Sequence, residues 1–205
     1  EDIIVGSPTA GRQHDDLKNT IGMFVNTLVM RNRPKADSRF IDYLKKVKEN
    51  TLNAYENQDY PLDELVEKLD LQRDMSRSAL FDTMFVLQNL DTSNEEIKGL
   101  SFETYDSELN IANFDLTLSA VETNNIIKFD LEYCTKLFKK ETIAKISEHF
   151  VSILREITNN QEVCLGQIDM LSGEEKHILL NEFNETYMDY PKNKTIYQLF
   201  EEQVE

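Results

Sequence analysis

The sequence is poor in positive charge and in histidine. Its 205 residues include 22 Lys and Arg against 38 Asp and Glu, which gives a formal net charge of −16, and only 3 histidines. A chain this acidic repels phosphate backbones, and no basic run offsets the charge. We therefore exclude duplex DNA and RNA as partners.

Long apolar runs and closely spaced cysteines are also missing. No stretch approaches the ~18 consecutive apolar residues of a membrane span, and the N-terminus has no basic segment followed by the apolar core of a secretory signal. Cys134 and Cys164 lie far apart without a neighbouring histidine, so we expect no metal site and two ordinary buried thiols. With 40% hydrophobic residues, the composition predicts a soluble, folded protein. The lack of a membrane span and of a secretory signal predicts a cytoplasmic location.

Hydrophobic periodicity predicts alternating strands and helices. The clearest pattern is a β-hairpin, in which apolar and polar residues alternate over 114–120 and 127–133, on either side of Asn124 and Asn125. The run 21–31 is apolar on both faces, which predicts a strand covered on both sides. The predicted strands are 3–5, 21–31, 80–87, 101–105, 114–120 and 127–133, and the predicted helices are 40–55, 61–69, 141–158, 172–183 and a last one from 195.

The composition changes after residue 165. Ser172 with Glu175, and Thr195 with Gln198, have the spacing of capping boxes, which open two short helices. We expect residues 1–165 to form one globular unit, residues 166–194 to be a linker with a short helix, and residues 195–205 to begin a further domain.

No self-contained catalytic constellation is visible. His14, His149 and His177 each stand alone in a polar segment, and none is accompanied by a Ser or Cys nucleophile. The segment GSPTAGRQ at 6–13 has glycines that superficially resemble a phosphate-binding loop, but Arg and Gln follow where that loop needs Lys and then Ser or Thr. A strand that ends in a turn explains this segment.

Three segments place polar residues where packing alone does not explain them. Asn26 lies inside the apolar run, where a buried amide without hydrogen-bond partners costs roughly 1–3 kcal/mol. The polar residues 57–59 precede a proline, and the segment 73–77 sets an Arg/Asp pair before the strand 80–87. For each segment taken alone, structural hydrogen bonding is an adequate explanation.

Taken together, in their order and spacing, these segments resemble the condensation domain of nonribosomal peptide synthetases. Three motifs carry the resemblance: IGMFVNT at 21–27 followed by Arg31, NQDYPLD at 57–63 with Leu62 where the family has Phe, and RDMSRSALF at 73–81. GSPTAGR at 6–12 and FDLTL at 114–118 are also similar to the family. Residues 168–184 resemble the connector that follows such domains, and residues 190–205 resemble the beginning of an adenylation domain.

The resemblance implies a fold and a chemistry. The fold is a chloramphenicol-acetyltransferase-like half of the CoA-dependent acyltransferase superfamily: a mixed, largely antiparallel sheet flanked by helices, in the α/β class. In this family two halves form a V around a tunnel. Two carrier proteins insert phosphopantetheine arms into it, and the acceptor amine attacks the donor thioester. No cofactor is expected to bind this chain directly.

One departure from the family bears on activity. The family's HHxxxDG motif, whose second histidine is catalytic, has no counterpart here, because no two histidines of this sequence are adjacent. The resemblance therefore implies the C-terminal half of the domain. We predict that this chain alone forms no peptide bonds.

By the same resemblance, one wall of the tunnel includes Ser7, Gly22, Phe24 and Asn26, with Asn26 near the active site. The residues expected to serve the structure are Asp59, Pro61, Arg73, Asp74 and Arg77. Arg73 and Asp74 are expected to brace the helix 61–69 against the sheet. The segment 99–118 is expected to include the crossing that latches one half onto the other.

The implied partners are the other half of the domain, carrier proteins and the adjacent adenylation domain, in bacterial antibiotic synthesis. The exposed inner face of a half-domain predicts a homodimer. Two alternatives stay open: a noncatalytic module that only docks carrier proteins, and a free-standing acyltransferase using coenzyme A, which the adenylation-like tail disfavours. The VNT at 25–27 is typical of peptide-forming members and argues against an epimerisation domain.

Overall fold

The computed structural model describes residues 2–17, 19–71, 77–88, 111–123, 126–189 and 193–204. Its internal contacts divide the chain into two compact units, Glu1–Asp169 and Met170–Glu205. The candidate site lies in the first unit.

Five strands of the first unit form one mixed sheet. They are β1 (Ile3–Thr9), β2 (Asn26–Asn32), β3 (Thr83–Gln88), β4 (Leu116–Thr123) and β5 (Ile126–Tyr133). Their order is β2-β1-β3-β4-β5. The antiparallel ladders β1–β2 and β4–β5 hold seven and eight residue pairs, while the parallel ladders β1–β3 and β3–β4 hold one and six. The predicted mixed, largely antiparallel sheet is confirmed.

The Phe81 ring packs closely against the backbone of β1 at Gly6. A Cβ added at Gly6 of β1 would lie 2.3 Å from the Phe81 ring, so glycine is the residue that lets this ring pack on the strand. Phe81 in turn contacts Phe114, with ring centroids 5.6 Å apart. Phe81 is among the buried apolar residues of the core, with Leu28, Met84, Ala120, Ile143 and Val163.

Three helices of the first unit follow the predicted periodicity: α1 (Phe40–Glu56), α2 (Leu62–Lys68) and α3 (Lys140–Asn159). The Phe129 ring of β5 meets the Phe150 ring of α3 at 5.1 Å in an edge arrangement, which packs this helix on the sheet. The Phe40 N–H at the start of α1 donates to the carbonyl oxygen of Val163, at 2.8 Å. The segment after α3 thereby holds the beginning of α1.

The predicted strand 21–31 is wrong in its first half. β2 begins only at Asn26, which is the residue opposite Thr9, the last residue of β1. Ile21, Met23 and Val25 are 100%, 88% and 57% exposed. An apolar run becomes a covered strand only where a partner strand and a packing layer reach it, and no strand of the described residues pairs with this part.

Other predictions were met in part. The hairpin of β4 and β5 is confirmed, whereas its turn at 124–125 and the predicted strand 101–105 lie outside the described residues. β1 continues past the predicted 3–5 to Thr9, and the predicted strand 80–87 is β3, which runs from Thr83 to Gln88. Cys134 and Cys164 are free thiols, as expected, although both are half-exposed rather than buried.

In its described residues, the second unit contains two short α-helices, α4 (Gly173–Leu180) and α5 (Ile196–Val204). Ser172 and Glu175 form the predicted capping box at the start of α4, which ends three residues before the predicted limit. Thr195 and Gln198 exchange the same pair of hydrogen bonds before α5, at 2.9 and 3.3 Å. Among the helices that the structure describes, none has the length and apolar content to cross a membrane.

Candidate functional site

Three of the sequence motifs meet at the beginning of β2, and we call this contact the motif junction (Thr9, Asn26, Gln58). The Asn26 amide nitrogen donates to the carbonyl oxygens of Gln58 and Tyr60, each at 2.8 Å. The Thr9 hydroxyl donates to the side-chain oxygen of Gln58 at 2.6 Å. Thr9 and Asn26 are themselves direct partners in the ladder of β1 and β2. The segments GSPTAGR, IGMFVNT and NQDYP thus form one hydrogen-bonded unit.

The partners of Asn26 explain how a half-buried amide is tolerated there. Both hydrogens of its amide nitrogen are directed at backbone carbonyls, and its amide oxygen accepts from the Thr27 N–H at 2.9 Å. Leaving such groups unpaired costs about 1–3 kcal/mol. Asn26 therefore fixes the 57–60 turn against the beginning of β2.

Arg12 organises the connection 10–25 between β1 and β2. Its guanidinium donates to the carbonyl oxygens of Leu17, Thr20 and Gly22, the last two at 2.6 and 3.3 Å. The guanidinium carbon also lies 4.5 Å from the centroid of the Phe24 ring, a cation–π contact. A single side chain thus holds this long connection in a closed shape.

Gly11 makes that shape possible. Its φ is +62°, in the left-handed region, and a Cβ built there would lie 1.9 Å from the carbonyl oxygen of Phe24. Only glycine tolerates both the dihedral angle and the close approach. The two ends of the connection therefore touch backbone to backbone, and Ile21, Met23 and Val25 are exposed on it.

The NQDYP segment is tied to the same connection on its other side. The Gln13 side-chain nitrogen donates to an Asp59 carboxylate oxygen at 3.0 Å. Pro61 is the residue before α2, and Asp63 and Glu64 follow in the first turn, where carboxylates interact favourably with the helix dipole. Asp59 thus accepts a hydrogen bond from the connection and Pro61 precedes α2, while the structural role expected for them stays a prediction.

The other predicted site residues are distributed around the junction. Ser7 is 8% exposed and lies in β1 opposite Leu28. Gly22 is exposed, and Phe24 is half-buried beneath the guanidinium of Arg12. Arg77 is exposed. Arg73, Asp74 and most of the segment 99–118 lie outside the described residues, so the predicted bracing pair and latch stay predictions.

The three histidines do not form a site. His14 has a side chain 82% exposed with Asp16 at 3.7 Å, His149 lies half-buried on α3, and His177 lies on α4 with Glu182 at 3.5 Å. Within the described ranges, no group of three or more His, Cys, Asp or Glu could hold a metal ion.

Sequence reasoning missed three residues of this arrangement: Thr9, Arg12 and Gln58. Each lies inside a motif that was recognised, so a signal was present. Their hydrogen-bond partners, however, are distant in the chain. Thr9 and Gln58 are 49 positions apart, Arg12 and Gly22 are 10 apart, and Gln58 and Asn26 are 32 apart. Spacing along the chain does not reveal such pairings.

Comparisons with families, curated proteins and solved structures agree on one family. Residues 1–195 match the condensation-domain family. The chain is 57% identical to bacitracin synthase 3 of Bacillus licheniformis over 205 residues, and 52% identical to gramicidin S synthase 2 of Brevibacillus brevis over 206. These alignments cover 100% of the chain but 3% and 5% of the two relatives, so the chain spans a small part of each.

Solved structures share the fold. A four-domain nonribosomal peptide synthetase bound to AMP and glycine superimposes with a TM-score of 0.80 at 20% identity, over 99% of this chain and 16% of that one. The X-domain from teicoplanin biosynthesis gives 0.73 at 22% identity, over 83% of this chain and 40% of that one. The mixed sheet flanked by helices is therefore the fold that these solved structures share. The motif junction, the family match over residues 1–195 and the relatives together show that this chain belongs to the condensation-domain family.

Proposed function

We propose that the chain is the C-terminal half of a condensation domain that forms peptide bonds between carrier-bound thioesters. One observation carries the proposal: the family's motif segments close into one hydrogen-bonded wall, while the sequence holds no adjacent histidine pair. The relatives named as bacitracin and gramicidin S synthases support the peptide product class.

In the proposed reaction, the acceptor amine attacks the thioester carbonyl carbon. A C–N bond forms, the C–S bond breaks, the thiol leaves and the amine gives up a proton. Holding the amine against the carbonyl supplies much of the acceleration in such transfers. The wall that includes Ser7, Gly22, Phe24 and Asn26 provides positioning, and the base that takes the proton belongs to the HHxxxDG motif of the other half.

Asn26 acts in this proposal through the turn that it holds. Its two amide hydrogens are already directed at Gln58 and Tyr60. It therefore sets the position of the 57–60 segment, and through it the shape of the wall. Its amide oxygen keeps one lone pair for a substrate amide or for the catalytic loop.

The test uses an intact domain in which the upstream half carries HHxxxDG. We expect Asn26→Ala to lower kcat for peptide formation about tenfold, since displacement of a positioned group by about 1 Å can cost more than this. The matched control is Asn159→Ala, an exposed position at the end of α3. Assays are run well below the unfolding temperature of both variants.

Three results would overturn the proposal. Unchanged turnover of Asn26→Ala removes the positioning role. Peptide formation by the 205-residue chain alone contradicts its assignment as a half-domain. If the upstream half lacks both histidines, the noncatalytic docking alternative replaces peptide formation.

Further assignments belong to the proposal rather than to the findings. They are carrier domains with phosphopantetheine arms as partners, an adenylation domain beginning at 195–205, association through the inner face, and a cytoplasmic location. The subdivision at residues 165 and 194 likewise stays a prediction, and the contact-based division falls at Asp169 and Met170.

A further inference from the structure

A cleft of about 480 Å³ lies at the far end of β2, where the strand meets α1. Four cationic side chains line it: Arg31, Arg33, Lys35 and Lys46. Glu49 contributes the one carboxylate of this lining. We call it the basic cleft, and it is separate from the motif junction at the beginning of the same strand.

Two of the cations are oriented by a carboxylate. The Arg31 guanidinium donates to Asp2 through Nε and Nη2, at 3.0 and 2.6 Å, and Arg33 donates to Asp2 through Nη2 at 3.1 Å. The two arginines hold the pKa of Asp2 well below its usual range. Since a guanidinium has five N–H donors, each arginine keeps donors for a second acceptor.

The side of the basic cleft formed by α1 is hydrogen-bonded to β2. Tyr43, Lys46 and Asn50 lie at positions i, i+3 and i+7 of α1, on one side of the helix. The Asn50 side chain donates to the Arg31 carbonyl oxygen at 3.4 Å and to the Asn32 side-chain oxygen at 3.0 Å. Partial burial raises the pKa of the Tyr43 phenol.

The charge of the cleft contrasts with that of the chain. Residues 31–50, which span the lining, hold 7 of the 22 Lys and Arg and 3 of the 38 Asp and Glu, in a chain of net charge −16. Among the described residues, no carboxylate lies within ion-pair distance of Lys35 or Lys46. Such a local excess attracts small anions, whereas a duplex nucleic acid would meet the acidic remainder of the surface.

We propose that the basic cleft binds a phosphate group carried by a small molecule. Paired guanidinium groups match the geometry of phosphate oxygens, and the two lysines add point charges around the same space. The volume falls in the range of small-molecule sites, so an organic group attached to the phosphate also fits. The proposal is independent of peptide formation.

The experiment is calorimetric titration of the 205-residue chain at low salt with 4′-phosphopantetheine, pantetheine and inorganic phosphate. We expect saturable binding of both phosphate-bearing probes that weakens steeply with salt, and none of pantetheine. Tighter binding of phosphopantetheine than of phosphate identifies the arm of a carrier protein as the source. Equal binding identifies a free phosphate compound.

The variant Lys46→Gln is expected to weaken phosphate binding about fivefold, the loss of one partly exposed ion pair. Lys48→Gln is the matched control, since it removes the same charge from the same helix outside the cleft. Circular dichroism melts check that both variants fold. Absence of phosphate-dependent binding overturns the proposal, and so does an equal loss in the two variants.

Discussion

The two ends of β2 use arginine in different ways. At the beginning of the strand, Arg12 directs its donors at three backbone carbonyls and lies on the Phe24 ring. At the other end, Arg31 and Arg33 share one carboxylate and border an open cleft. The N–H donors of Arg12 bind neutral carbonyl oxygens and fix the shape of a loop. The guanidinium groups of Arg31 and Arg33 are only partly paired, so positive charge stays available to a ligand.

The largest expected effect is at Gly11, in the closed connection 10–25 that leads to the beginning of β2. In Gly11→Ala the new Cβ meets the Phe24 carbonyl oxygen at 1.9 Å and the backbone keeps a φ of +62°. We expect the free energy of unfolding to fall by about 3 kcal/mol, measured by urea denaturation.

Gly173→Ala is the control for that measurement. A Cβ at Gly173 meets no atom within 4 Å, and the position opens α4. Alanine is a better helix former than glycine, so the variant should be neutral or more stable by about 0.5 kcal/mol. Equal losses in the two variants would contradict the close approach at Gly11.

Arg12→Ala is expected to have an intermediate effect. It removes the donor of the Thr20 and Gly22 carbonyls together with the contact to Phe24. Unfolding free energy should fall by about 1–2 kcal/mol, and amide hydrogen exchange should accelerate over residues 10–25. Arg155→Ala, at an exposed position of α3, should leave both unchanged. Unaltered exchange in Arg12→Ala would show that the guanidinium does not hold the loop.

The smallest expected effect concerns Asp2 at the open end. Because the arginines lower the pKa of Asp2 below its usual 3.8, its ionised carboxylate stabilises the fold above that pH. This contribution is lost as the pH falls through the lowered pKa. The stability difference between the wild type and Asp2→Asn should therefore be constant from about pH 5 to 7 and shrink below about pH 4.

Urea denaturation at several pH values measures that difference, and Asp130→Asn on the exposed β5 serves as the control. The effect should be small, because the Asp2 side chain is 38% exposed and solvent screens the pair. A difference that grows on acidification would contradict the assignment.

Local patterns predicted the elements that depend on neighbours in the chain. The helix α3, the hairpin of β4 and β5 and both capping boxes were predicted within a few residues. The run 21–31 was predicted wrongly in its first half, because its composition is that of a strand while its partner β1 ends at Thr9. Composition tells which faces are apolar, but pairing depends on where the neighbouring strand stops.

The candidate site, like the fold, was predicted only in part. Motif spacing placed Asn26, Asp59 and Pro61 in it, but gave no sign that Arg12 holds the connection or that Gln58 meets Thr9. The sequence analysis did not predict the basic cleft. Its cations are spread over 31–46, and only the packing of α1 beside β2 brings them around one space.

The sequence by itself determined the family and the order of helices and strands, because motifs, periodicity and caps are properties of neighbouring residues. Only the tertiary structure decided that the Asn26 amide meets carbonyl oxygens 32 and 34 positions away, and that one carboxylate at position 2 orients two arginines of a cleft. Hydrogen bonds and charges act through distances in space, and these are set only once the sheet and its helices have packed.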